Sequence, residues 1–225
     1  MVMQAARRQK PDLNVTVIGL GVGGIACYEN PGDTWHYMEI DQAVVDMAMN
    51  PQYYTYMQDC SYEKNVIVGD GRLTMSQLGK GSQDLMMLDA FSSNSIPAHL
   101  VTTGAMEMYK AYLKEDGLMF FHTSHRSMDI SSVVARTAEA VGLHAKFISL
   151  RDFSDKALPD TYSASWGLLV GPKDVLERAT AGTKEWVDPT PSPLVKAWTD
   201  DYSSIIGPLR SGLDNTWPKN TRKGK

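Results

Sequence analysis

Residues able to hold a small polar ligand gather at five places in the first 125 positions. "VIGLGVGG", residues 17–24, carries Gly19, Gly21 and Gly24 as G-x-G-x-x-G, and Gly19, Gly21 and Gly23 equally as G-x-G-x-G. Glycines at such spacing let backbone amides approach a ligand that a Cβ would hold off. Glu39 ends the next apolar run, twenty residues past Gly19. That is the spacing at which a carboxylate accepts hydrogen bonds from ribose hydroxyls. "VGDGR" sets Asp70 and Gly71 after a third apolar run, and "LDAF" sets Asp89 and Ala90 after a fourth. His122 and His125 flank the end of a fifth, in "FFHTSHRS". A histidine there serves as a general base or satisfies backbone groups.

Such residues can act together only if the runs that end in them lie side by side. Residues 14–19, "TWHYMEI", "NVIVGD", "QDLMMLDA" and "GLMFFHTS" read as strands. Between them "GIACYEN", "DQAVVDMAM" with Asp41 as its cap, "GRLTMSQLG" and "TGAMEMYKAYL" read as helices, and "DISSVVARTAEAVG" follows as another. This alternation predicts a parallel sheet with helices on both faces. "HAKFISL" and "SASWGLLVG" are then two strands with no helix between them, which predicts antiparallel pairing at that edge. The expected fold is α/β: Rossmann-like, doubly wound, a mostly parallel seven-stranded sheet with one antiparallel strand near the C-terminal edge. Residues 180–199, with Pro189, Pro191 and Pro193, read as an extended connection, and "WTDDYSSIIGPL" as a final helical turn. The expected organisation is an N-terminal extension over 1–13, one domain over 14–210 and a flexible basic tail over 211–225.

A chain of 225 residues can bury a sizeable core. Its 43% hydrophobic and 21% charged residues are those of a globular domain, and the net charge of −4 argues against a nucleic-acid partner. Cys27 and Cys60 have no metal-ligand spacing and make no disulfide framework, so a reducing cytoplasm is the expected setting and no metal is expected. No run reaches the eighteen or so apolar residues of a membrane span.

The glycine spacing alone fits NAD or a sulfonium nucleoside. A dinucleotide needs its pyrophosphate on a helix N-terminus and room for a second nucleotide. A compact aminoacyl nucleoside instead needs polar residues at the ends of the third and fourth strands, where Asp70 and Asp89 stand. Taken one at a time, Asp70 can also be read as a helix cap, Asp89 as a turn cap and Glu39 as a surface acid. Three acids at successive strand tips fit one shared crevice better than three separate caps.

With those residues in place, the chain resembles the spermidine-synthase-like branch of the class I S-adenosylmethionine-dependent transferases. The likeness rests on the glycine loop 19–24, "MEID" at 38–41, "GDGR" at 69–72, "LDAFSSNSIP" at 88–97 and "LKEDG" at 113–117. "WTDDY", 198–202, is similar to a closing segment of relatives fused to membrane domains. The resemblance implies S-adenosylmethionine or its decarboxylated form as donor and a small amine as acceptor. Gly19, Gly21, Gly23, Glu39, Asp70, Gly71, Asp89 and Ala90 would hold the donor. Asp89 would also steer and deprotonate the acceptor amine, and Ser92, His122, His125 and Asp201 are candidates for contacting it. Two positions depart from the family. Val22 stands where spermidine synthases carry an aspartate in G-G-G-D-G-G, and Ser92 where they carry the second aspartate of D-x-S-D-P. The family's small N-terminal β-domain is expected to be lacking, because thirteen residues precede the first strand. Val22 cannot pair an ammonium, which favours methyl over aminopropyl transfer. A homodimer is left open, as are an NAD-dependent oxidoreductase and a non-catalytic nucleoside-binding module.

Overall fold

The computed structural model describes residues 1–8, 10–90, 97–125, 127–151 and 164–209. Helix α1 (Val2–Arg7) precedes strand β1 (Asn14–Ile18). A 3-10 turn (Gly24–Tyr28), β2 (Thr34–Glu39), α2 (Gln42–Met49) and α3 (Tyr56–Asp59) follow. Next come β3 (Asn65–Val68), α4 (Gly71–Thr74), β4 (Gln83–Leu88), α5 (Thr103–Tyr112) and β5 (Leu113–His122). The chain then forms α6 (Ile130–Ala140), β6 (His144–Arg151), β7 (Ala164–Gly171), α7 (Lys173–Thr180) and β8 (Trp186–Val187). The strands make one sheet in the order β3-β2-β1-β4-β5-β7-β6-β8.

Strands β1 to β5 pair in parallel, and β7 inserts antiparallel between β5 and β6. This is the expected mostly parallel, doubly wound architecture. Side chains alternate across the sheet, as period-two geometry requires. Val15, Val17, Leu85 and Met87 face one core with α1, α2 and α7. Ile18, Met86, Leu88, Met119 and Phe121 face the other with α5 and α6. Strand β4 is buried throughout, and past Gln83 and Asp84 it reads as a continuous apolar run. Asp41 caps α2 as expected, accepting from the Ala43 N–H, and Asp129 caps α6, accepting from the Ser132 N–H.

The structure corrects the sequence reading in several places. An eighth strand, β8, lies in the segment expected as a plain connection, and it too runs antiparallel. Trp186 is buried there, and its strand covers the otherwise open edge of β6. The amphipathic α7 was not anticipated; it buries Val175, Leu176 and Ala179. Residues 198–209 form turns rather than a helical turn, because their backbone groups are engaged elsewhere. The Trp198 carbonyl accepts from Thr103, Thr199 and Tyr202 bond each other, and the Pro208 carbonyl accepts from Asp129. Finally, Cys27 and Cys60 form a disulfide, with Cα atoms 4.7 Å apart. The packing of α3 on the 3-10 turn brings together two cysteines that lie 33 residues apart in sequence. No helix among the described residues is long and apolar enough to cross a membrane.

The start of the sheet is anchored by a buried carboxylate, Asp33. It accepts from both terminal nitrogens of the Arg7 guanidinium, from the Leu13 and Asn30 N–H groups at 2.9 Å, and from the Trp35 ring N–H at 3.1 Å. Arg7 also donates to the Tyr28 and Pro11 carbonyls, so one ion pair ties α1, β1, the 3-10 turn and β2. Burial pushes the Asp33 pKa up, but Arg7 and the three N–H donors outweigh it and hold it down at about 2. A carboxyl depressed in the folded state contributes stability above its unfolded pKa of 3.8, and that contribution is lost as pH falls toward about 2. Asp33→Asn is therefore expected to cost about 2 kcal/mol at pH 7. Urea titrations from pH 7 to pH 2 should show the difference from wild type shrinking below pH 4. A constant difference would mean that the charge of Asp33 is not what stabilises the corner.

Candidate active site

The parallel register sets four strand ends in one row. Ile18 pairs with both Met38 and Leu88, and Leu88 pairs with Phe121. The next residue on each strand is therefore Gly19, Glu39, Asp89 and His122, neighbours at strand spacing, about 4.8 Å. The ladder continues one bond further at each gap. Gly19 N–H donates to the Met38 carbonyl at 2.8 Å, Asp89 N–H to Ile18 at 2.9 Å, and Gly69 N–H to Glu39 at 2.8 Å. That last bond holds Asp70 beside Glu39, so the three acids of the sequence analysis share one edge of the sheet.

The glycine loop turns tightly over this edge. Gly19, Gly21 and Gly23 have φ of 100°, 54° and 82°, left-handed values that suit glycine. Gly19 is the most constrained, since a Cβ there would lie 2.4 Å from the Asp89 carbonyl oxygen and 2.9 Å from the Ala90 Cα. Glu39 braces the loop: its Oε2 accepts from the Leu20 N–H at 3.0 Å and its Oε1 from Asp41 at 3.1 Å. Each oxygen keeps capacity for a further donor.

Asp89 lies exposed at the tip of β4, with its side chain 55% accessible. Its Oδ1 meets His122 Nδ1 at 2.6 Å, and His122 Nε2 meets Ser124 Oγ at 2.7 Å. Ser124 is itself held by β7, accepting from the Trp166 N–H at 2.8 Å. An ionised carboxylate only accepts, so Nδ1 is the donating nitrogen of His122, and the ring orients Asp89. His125, by contrast, folds onto its own turn, where Nδ1 accepts from Ser127 and Met128 at 3.2 and 3.0 Å.

Asp70 caps α4, accepting from Arg72 and Leu73 through Oδ1, while its Oδ2 meets His99 Nε2 at 2.9 Å. Beside it Arg72 forms a forked pair with Asp200 at 2.8 and 3.3 Å, and Asp200 also accepts from the Thr102 hydroxyl at 2.6 Å. The Arg72 guanidinium and the Thr102 hydroxyl hold the Asp200 carboxyl below the usual carboxylate range. The C-terminal segment is thus fastened over the start of α5 beside Asp70. Asp201 lies exposed in the adjoining turn, and Ser92 falls outside the described residues. His99, Arg72 and Ser124 were given no role in the sequence analysis. Arg72 was visible inside "GDGR", but its partner Asp200 is 128 residues away.

No protein-family model matches the chain. A polyamine aminopropyltransferase from Vibrio vulnificus (strain CMCP6) is 34% identical over 119 residues, 51% of this chain and 38% of that protein. The chain thus spans well under half the length of that curated relative. Among solved structures, a probable spermidine synthase from Corynebacterium glutamicum ATCC 13032 superposes with a TM-score of 0.62. The match covers 91% of this chain and 80% of that one at 16% identity. The chain has a spermidine-synthase-like fold. Human methyltransferase-like protein 13, in complex with SAH, shares it at a TM-score of 0.54 and 18% identity, over 84% of this chain and 93% of that one.

Gly19→Ala should lower stability by about 1–3 kcal/mol, because left-handed strain adds to a clash with backbone on a neighbouring strand. Gly21→Ala is the control, since nothing lies within 4 Å of a Cβ there. Its cost should stay near 1 kcal/mol, the conformational penalty alone. Denaturant midpoints of the two variants check this, and equal losses would mean that the β1–β4 contact is not tight.

Proposed function

We propose that the protein transfers an alkyl group from a sulfonium nucleoside of the S-adenosylmethionine type to a small amine. The observation that carries this reading is Asp89. It is an exposed carboxylate at the tip of β4, oriented by His122 and in backbone contact with the glycine loop at Gly19. Acids that only support the fold look different here. Asp33 and Asp84 are buried and saturated with donors, Asp84 by Asn14, Lys10 and Lys114.

The residues at the strand ends fit a sulfonium nucleoside better than a dinucleotide. After the glycine loop comes a five-residue 3-10 turn, not the longer α-helix whose N-terminus a pyrophosphate needs. Glu39, half-buried and braced, has acceptor capacity left for ribose hydroxyls, and Asp70 can accept from an adenine amino group beside Gly71. When bound, the donor supplies an electrophilic carbon next to positive sulfur, with a neutral thioether as leaving group. This chain's own residues would position the donor, exclude water and take a proton at the Asp89 carboxylate as the amine attacks. His122 is a positioning residue in this scheme, since it acts through Asp89.

Methyl transfer is the favoured chemistry because Val22, exposed in the loop, offers no carboxylate to the ammonium of a decarboxylated donor. Aminopropyl transfer is the second reading, supported by the curated relative, a polyamine aminopropyltransferase. Thermal shift and calorimetry with S-adenosylmethionine, its decarboxylated form, SAH and NAD separate the readings. A sulfonium nucleoside or SAH at a hundred times its dissociation constant should add about 2.7 kcal/mol of stability. Stabilisation by NAD alone would overturn the proposal. Val22→Asp should shift the preference toward the decarboxylated donor by about tenfold, near 1.4 kcal/mol. Asp89→Asn should lower transfer to an amine by about 10²–10⁴, a far larger change than in donor affinity. An equal loss of donor affinity would make Asp89 a binding residue only.

A further inference from the structure

The disulfide joins two segments that meet at the glycine loop. Cys27 lies in the 3-10 turn that leaves the loop, and Cys60 closes α3. Between them, Met57 of α3 is fully buried and fills the space where a Gly23 side chain would stand, with its Cγ 2.6 Å from an ideal Cβ position. The four-residue α3 is too short to persist by its own hydrogen bonds. Besides the disulfide and the Met57 contact, Tyr62 ties the segment down, its N–H donating to Glu29 at 3.0 Å. Cys27 is exposed and Cys60 half-buried, so a reductant can reach the sulfurs.

We propose that Cys27–Cys60 is a thiol–disulfide exchange site whose oxidised form holds the glycine loop in its ligand-binding shape. The reactant is a dithiol. One of its thiolates attacks a sulfur of the pair, and its second thiol resolves the mixed disulfide. The dithiol gives up two electrons and two protons and closes to a disulfide, while Cys27 and Cys60 each gain a hydrogen. Reduction removes the covalent link across the 33-residue separation, which contains β2, Glu39 and α2. Met57 then holds Gly23 only through packing, and the loop gains conformations that do not present its amides. Cys60 only flanks the core of α1, α2 and α7, and neither cysteine is one of its fully buried members, so the sheet stays folded in the reduced state.

The consequence for donor binding rests on the proposed function; the loosening of the loop does not. Two measurements on the full chain keep them apart. Hydrogen exchange in oxidised protein, in protein treated with dithiothreitol and in Cys27→Ser/Cys60→Ser should show faster exchange over 20–29 and 56–60 in the last two. Exchange in β1, β4 and β5 should be unchanged. Titration of SAH should give a dissociation constant about tenfold higher in the reduced and doubly substituted forms, the scale of a typical coupling between sites. The double variant should not respond further to dithiothreitol. Unchanged exchange at the loop overturns the proposal, and so does SAH binding that is equal in all three forms. Faster loop exchange with no sulfonium nucleoside or SAH bound by any form supports the redox coupling and overturns the donor reading instead.

Discussion

The geometry of the strand ends depends on the close approach of Gly19 to the β4 backbone. With no Cβ, the chain leaving β1 turns directly over the Asp89 carbonyl and the Ala90 Cα. Any larger residue would push the loop away from β4, since real Cβ atoms do not sit at 2.4 Å from an oxygen. That single contact sets how near a ligand held by the loop comes to the carboxylate of Asp89. The rest of the site is referred to it. Glu39 fixes the next residue of the loop through the Leu20 N–H, Met57 fixes Gly23, and His122 fixes the side chain whose backbone Gly19 touches.

The two edges of the sheet use carboxylates in opposite ways. At the edge where β1 and β4 begin, Asp33 and Asp84 are buried, and each is surrounded by cations and N–H groups. Burial raises the pKa of both, and their donors more than reverse it. These acids stabilise the fold and have little left to offer a ligand. At the edge where the strands end, Glu39, Asp70 and Asp89 are partly or largely open and bonded to groups that orient them. The acid count of the sequence does not separate these classes, but the position of each acid does. Asp84 opens an apolar run, whereas Asp89 closes one.

That distinction explains what could be read from residues alone. Buried parallel strands are continuous apolar runs, so their ends are abrupt, and the register brings Gly19, Glu39, Asp89 and His122 into one row with Asp70 beside them, whereas His125 turns away. The pairing of His122 with Asp89 was within reach, because adjacent parallel strands ending level bring their next residues together. What stayed hidden depends on distant partners or on weak local signal. Helix α7 has eight residues, four of them charged, and only its burial of Val175, Leu176 and Ala179 defines it. Two cysteines in a chain of this length carry no information about their separation in space. His99 reaches Asp70 across 29 residues of sequence, and Arg72 finds Asp200 across 128.

Asp70 shows why a structural role and a ligand-binding role need not compete. As a cap, it uses Oδ1 to satisfy the Arg72 N–H and to share the Leu73 N–H with its own carbonyl, and this fixes the side chain rotamer. A carboxylate held that way loses no further rotamer freedom when a ligand arrives, so the cap lowers the entropic cost of binding. The same holds for Glu39, whose bonds to Leu20 and Asp41 fix its direction before any hydroxyl is offered to it. Arg72 and Asp200 extend the arrangement outward. Their paired charges join the C-terminal segment to the first turn of α4 and to Thr102 at the start of α5. Preorganisation at the strand ends is thus built from ordinary helix caps and one ion pair, and the chemistry proposed for the site draws on bonds that the fold makes for its own stability.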